Sequence, residues 1–204
     1  MTGSILTREE REEQRRRRAE REAALRLKNN KLGITIFQGS WIMVFVCLVL
    51  VYWQMGFNPG WRPSAAQRPE MLLPTLATVA LLASTWCARS ALQQVRAGQV
   101  AAFQAQWRIA IATGVVFFAI MLQQFTALPP ADSLGQQYGQ IFRVMIGYHA
   151  AHALAIGLMM IQVYRYSLAG RYHAGNSWSV EATVRLWYFV TAAWVLFYVV
   201  LYLI

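Results

Sequence analysis

The chain has 204 residues, 57% of them hydrophobic, with 19 basic and 9 acidic side chains and a formal net charge of +10. Sixteen of those charges fall in the first 32 residues, and the remainder lie between long runs that carry none. Such a distribution excludes a soluble globular domain, because about 20 predominantly apolar residues suffice for a helix to cross a bilayer core.

The first predicted element is a charged helix from Thr7 to Leu27. Thr7 with Glu10 three residues on has the capping-box pattern. Glu12 with Arg16, Glu13 with Arg17 and Glu22 with Arg26 stand at i,i+4 in the favourable order. A solvated helix that enforces orientation is the first reading of this segment. Anionic lipid or a partner subunit comes next, and nucleic acid last, because six acids are interleaved and no aromatic stacking residues accompany the arginines.

Five charge-free runs follow: Leu32 to Trp61 (30 residues), Met71 to Ala88 (18), Ile109 to Ala131 (23), Val144 to Tyr164 (21) and Leu186 to Ile204 (19). The first is far longer than the roughly 7 to 15 residues of a signal-peptide core and follows too long a charged region, so it is expected to stay in the mature protein. Proline-rich turns are expected at Asn58 to Pro63 and Pro129 to Asp132. Trp53, Trp61, Trp107, Tyr138 and Tyr202 fall near predicted span ends, as amphipathic rings do at headgroup level. The expected fold is all-α, an integral membrane five-helix bundle. Residues 1–31 form a charged cytoplasmic N-terminal segment and 32–204 the transmembrane domain.

Arginine and lysine near helix ends set topology, with the excess on the cytoplasmic side. Ten basic residues precede the first span, and Arg89, Arg96, Arg108, Arg165, Arg171 and Arg185 fall on the same side after two and four crossings. The other side holds Arg62, Arg68 and Arg143. Sixteen against three predicts N-inside and C-outside. Cys47 and Cys87 lie at different depths and are poorly placed to pair.

Ionisable groups inside spans are functional candidates because hydrocarbon makes them expensive. The fourth span carries His149 and His152, an i,i+3 pair on one side of a helix. A closed metal site needs three or four ligands, and the remaining histidine, His173, is expected in a loop. The better reading is that His149 and His152 hydrogen-bond across helices, with Gly147, Ala151 and Ala155 permitting close approach. No carboxylate lies inside a charge-free run, which argues against a proton or cation carrier, and paired repeats with broken helices are absent. Gln38, Gln123, Gln124 and Gln162 read as interhelical hydrogen-bonding residues. No nucleophile has a placed base, so no catalytic residue and no metal or cofactor ligand is assigned to this chain.

The fourth span, YGQIFRVMIGYHAAHALAIG, resembles a helix of subunit III of the haem-copper oxidases, through Tyr138, Gly139, Phe142, Gly147, His149, His152 and Gly157 in register. Glu181, Trp187, Phe189, Val190 and Trp194 are similar to the family's closing helix. Leu73, Pro74, Thr78, Leu81, Leu82 and Ser84 resemble its Leu-Pro helix, and Lys31, Leu32, Gly33, Phe37, Ser40 and Phe45 the helix before that. The shorter, five-helix form of the family has the span count reached above from charge alone. Departures share a direction: Trp41 and Gln124 stand where the family has glutamate, Ala77 for asparagine, Tyr188 and Thr191 for histidine and aspartate, and Ala150 for glycine.

The resemblance implies a structural subunit of a respiratory terminal oxidase, a cytochrome c or quinol oxidase that reduces oxygen to water. The chain would then be part of an enzyme without carrying a redox centre, with haem and copper held by partner subunits I and II. It also implies phospholipid between helices, a bacterial cell (inner) membrane location and no nucleic acid. His149, His152 and Tyr188 are expected to form an interhelical polar cluster, and Glu181 to be an interfacial residue near helix five. The accessory subunit of a nitric oxide reductase is the alternative within the same family. A small transporter or membrane-anchored adaptor is the alternative outside it.

Overall fold

A computed structural model describes residues 7–58, 61, 70–127 and 136–203. It contains five α-helices: α1 Arg8–Met55, α2 Leu72–Arg96, α3 Val100–Ala127, α4 Gln136–Leu168 and α5 Trp178–Tyr198, the last continuing into a π-helical turn, Val199–Leu203. No strand forms among the described residues. All five helices are long and apolar enough to cross a membrane. The two expected turns lie outside the described residues except for Asn58 and Trp61, as do Arg62, Arg68 and Asp132.

The structure divides into two units, the first ending at Met43 and the second beginning at Val44. In the first unit the Thr7 N–H donates to Glu10 Oε2 at 2.7 Å, and the Glu10 N–H donates to Thr7 Oγ1 at 3.3 Å. This reciprocal pair satisfies amides that a helix start leaves without partners. Arg17 bridges to Glu13 at 2.6 Å one turn away. The charge pattern predicts an end at Leu27, but α1 runs on without a break through Lys28, Asn29, Asn30 and Lys31. Nothing there forces a stop: no proline intervenes, and Gly33 costs a helix only about 1 kcal/mol relative to alanine.

In the second unit α2 packs on α3, α3 on α4, α4 on α5, and α5 back on α2, closing a four-helix ring. Only a tight turn joins α2 to α3, and Gly98 adopts φ +75° there, a backbone state that disfavours a Cβ. Helix α5 contacts both α2 and α4, and half of its span is buried. Outward-facing Leu76, Val79, Trp86, Val115, Val116 and Leu158 remain exposed. Hydrocarbon solvates such side chains as well as a protein core does, so no penalty drives them inward. Phe45, at 2% exposure, is the buried residue that α1 contributes, and its ring lies 5.1 to 5.3 Å from those of Tyr148, His152, Phe189 and Phe197.

Between α4 and α5 the chain turns at Gly170, φ +68°, and His173 bridges to Asn176. Asn176 Nδ2 donates to the Arg171 carbonyl at 2.9 Å, and the Arg171 guanidinium lies 4.4 Å over the Tyr166 ring. Tyr172 is buried beneath this connection, and burial raises its phenol above the usual range. The Ser179 hydroxyl, donating to the Tyr172 oxygen at 2.8 Å, acts in the opposite direction.

Candidate functional site in the helix bundle

The polar side chains of the bundle meet along α2 and α5. Trp187, Thr191, Trp194 and Tyr198 recur at spacings of four, three and four, which sets them on one side of α5. From the α5 N-terminus onward, Arg96 pairs with Glu181 at 2.7 Å. Trp187 Nε1 donates to Ser84 Oγ at 3.1 Å, and Ser84 Oγ donates in turn to the Ala110 carbonyl of α3 at 2.6 Å. The hydroxyls of Thr85 and Thr191 lie 2.6 Å apart. Trp194 Nε1 donates to Thr78 Oγ1 at 2.8 Å, and the hydroxyls of Thr75 and Tyr198 are 2.7 Å apart. Five such links tie the two helices from end to end.

A second seam joins α3 to α4. Trp107 Nε1 donates to the Met160 carbonyl at 2.9 Å, and Gln104 Nε2 to the Ser167 carbonyl at 3.1 Å. Trp107 stands near the start of α3, with its ring fully buried and its indole N–H on a helix carbonyl inside the bundle. Gln124, expected to bond between helices, receives only a long contact of 3.5 Å from the Tyr202 hydroxyl.

The histidines are brought together as their spacing requires, but His149 does not bond as expected. His149 is fully buried, and neither ring nitrogen has a hydrogen-bond partner among the described residues. Its neighbours are rings, with centroids 5.4 Å away for Trp194, 5.8 Å for Phe117, 6.1 Å for Phe45 and 6.2 Å for Phe197. His152 is 9% exposed, and its Nδ1 lies 2.7 Å from the Tyr148 carbonyl of its own helix. The expected cross-helix hydrogen bond of His149 is therefore corrected to aromatic packing. Helices α1, α3 and α5 present Phe45, Phe117, Trp194 and Phe197 around it, and none of these offers a lone pair in the ring plane.

Tyr188 does not join the pair. It is 40% exposed on α5, one residue beyond the inward Trp187 and so rotated by roughly 100° about the helix axis. Glu181 stands in the first turn of α5, partly exposed, and holds Arg96. Cys47 and Cys87 are both free. Among the described residues no three His, Cys, Asp or Glu side chains gather as a metal site would need. The sequence does not pair Thr85 with Thr191, nor Thr75 with Tyr198. The available signal was a hydroxyl in each of two apolar helices, but nothing in the sequence paired the helices.

Five apolar helices, four of them closed in a ring and pinned by hydroxyl and indole hydrogen bonds, define a multi-pass helical membrane protein. The sequence model of cytochrome c oxidase subunit III matches residues 19–204. The chain belongs to the cytochrome c oxidase subunit III family. It is 25% identical to cytochrome c oxidase subunit 3 of Synechocystis sp. over 84% of this chain and 74% of that one. It is similar to the Thermostichus vulcanus protein of the same name, at 24% identity over 85% and 86%, and to that of Bacillus sp. (strain PS3), at 25% over 90% of each chain.

Proposed function

We propose that this chain is the structural third subunit of a haem-copper terminal oxidase in a bacterial cell membrane. It packs beside catalytic subunit I and subunit II, which hold the haem and copper of oxygen reduction, and takes up phospholipid at its apolar surface. The N-terminus lies on the cytoplasmic side and the C-terminus outside, as the sixteen-to-three distribution of arginine and lysine supports. One observation carries this reading: the family match runs from residue 19 to residue 204, across all five helices. The side chains support it. Hydroxyls and indoles pair with one another, and His149 is enclosed by rings, an arrangement suited to holding helices together rather than to presenting a nucleophile or a base.

Affinity purification of the full chain from its native membrane tests the proposal. The expected result is a co-purifying large, haem-rich subunit with bound copper, a reduced-minus-oxidised haem spectrum and oxygen consumption. A chain recovered alone and monodisperse, with no pigmented partner, would overturn it. Reduction of nitric oxide by the purified material without oxygen consumption would move it to the other respiratory complex.

A further inference from the structure

Helix α1 carries its charges on a rod. Leu32 opens the charge-free run, and Arg21, Arg18 and Arg15 precede it by 11, 14 and 17 residues of unbroken helix. At about 1.5 Å per residue these arginines lie roughly 16, 21 and 25 Å before the start of the hydrocarbon-spanning part. Headgroups occupy only about 5 to 7 Å on each side of the bilayer core, and the screening length at physiological salt is about 8 Å. A typical tilt of about 20° shortens the separation by less than a tenth. Continuity of the helix therefore carries the row out of reach of the lipid charges that the sequence alone left available to it.

Arg15, Arg18 and Arg21 stand at three-residue spacing and form one inclined row. All three are exposed, and none makes an ion pair among the described residues. Glu9, Glu13 and Glu20 lie across the helix from the row and Glu12 beside its Arg15 end, and Arg8 and Arg17 take up Glu12 and Glu13. Glu22 shares the side of the row at its membrane end, and Glu10, held in the cap with Thr7, shares it beyond the far end.

We propose that this row docks on an acidic, water-exposed surface of a different polypeptide of the same complex. The proposal rests on the oxidase-subunit reading for the identity of the complex, and its chemistry is charge complementarity along a preformed helix. Gln14 is exposed, uncharged and adjacent to the row, one turn before Arg18 and two before Arg21. A benzophenone amino acid placed at Gln14 in the full-length chain, in its native membrane, reports what lies against the row. The expected product is a light-dependent adduct with a different polypeptide. Its yield should fall roughly tenfold in R15E/R18E/R21E, as expected for three exposed charge pairs, and persist in R15K/R18K/R21K.

Should the charge-reversed chain fail to insert, the parental adduct must still weaken steeply as salt is raised. An adduct with lipid, with nucleic acid or with a second copy of this chain would overturn the proposal. Absence of an adduct, or one indifferent to both charge reversal and salt, would do the same. A haem-rich complex that gives no adduct defeats this inference alone. A polypeptide adduct in material free of haem defeats the oxidase reading instead.

Discussion

Ser84 stands between three helices, receiving the Trp187 indole N–H from α5 and donating its own proton to the Ala110 carbonyl of α3. Removing that oxygen orphans a buried indole N–H, since Trp187 is only 3% exposed. Ser84→Ala is therefore expected to destabilise the chain by about 1 to 3 kcal/mol, measured by thermal unfolding in detergent. His149 presents the opposite case. Its nitrogens make no hydrogen bond among the described residues, so an apolar side chain of similar size gives up little. The melting temperature of His149→Leu should stay close to that of the parent, within about 1 kcal/mol in stability. A loss several times larger would mean that the imidazole has a polar partner after all.

Helix contacts depend on how closely backbones approach, and the glycines report this directly. A Cβ at Gly114 would stand 3.1 Å from the Trp187 ring and 3.3 Å from Ser84 Oγ, where α3 meets α2 and α5. At Gly157 on α4 a Cβ meets nothing within 4 Å. Gly114→Ala should thus cost about 1 to 3 kcal/mol by overpacking, whereas Gly157→Ala should be neutral or slightly stabilising because alanine is the better helix former. Equal behaviour of the two variants in a denaturation series would refute the packing of α3 against α5. Along the α2–α5 seam the Thr191 hydroxyl meets that of Thr85 at 2.6 Å, a polar link made without a charge. Links of this kind contribute about 0.6 kcal/mol each on average within a membrane, and several acting together fix which helices are neighbours.

For the molecule as a whole, the proposed orientation makes a prediction that does not depend on the partner subunits. In a chain with Cys47 and Cys87 replaced by alanine, a single cysteine at Asn58 should react with an impermeant maleimide added outside spheroplasts. One at Asn176, in the α4–α5 connection, should react only after lysis. The reverse pattern would place the arginine-rich end of α1 outside and contradict the charge rule. Asn58 follows the end of α1 and Asn176 precedes the start of α5, and both are exposed, so neither is shielded by the bundle.

The sequence by itself determined five stretches long and apolar enough to cross a membrane, because scarcity of charge over about 20 residues is a one-dimensional property that needs no neighbour to be read. It also determined the helix start at Thr7 and Glu10, a contact between residues three apart. The i,i+3 placement of His149 and His152 was legible for the same reason. What surrounds His149 was not, since Phe117, Trp194, Phe197 and Phe45 come from three other helices. Tyr188 was grouped with the histidines on its place in the family pattern, and the rotation of α5 turned it outward. The continuity of α1 was hidden as well, because a change from charged to apolar composition marks a membrane boundary and not the end of a helix. Only the tertiary structure decided which hydroxyl meets which indole. Hydropathy records whether a residue tolerates lipid, whereas hydrogen bonding depends on which helices lie side by side and how each is turned.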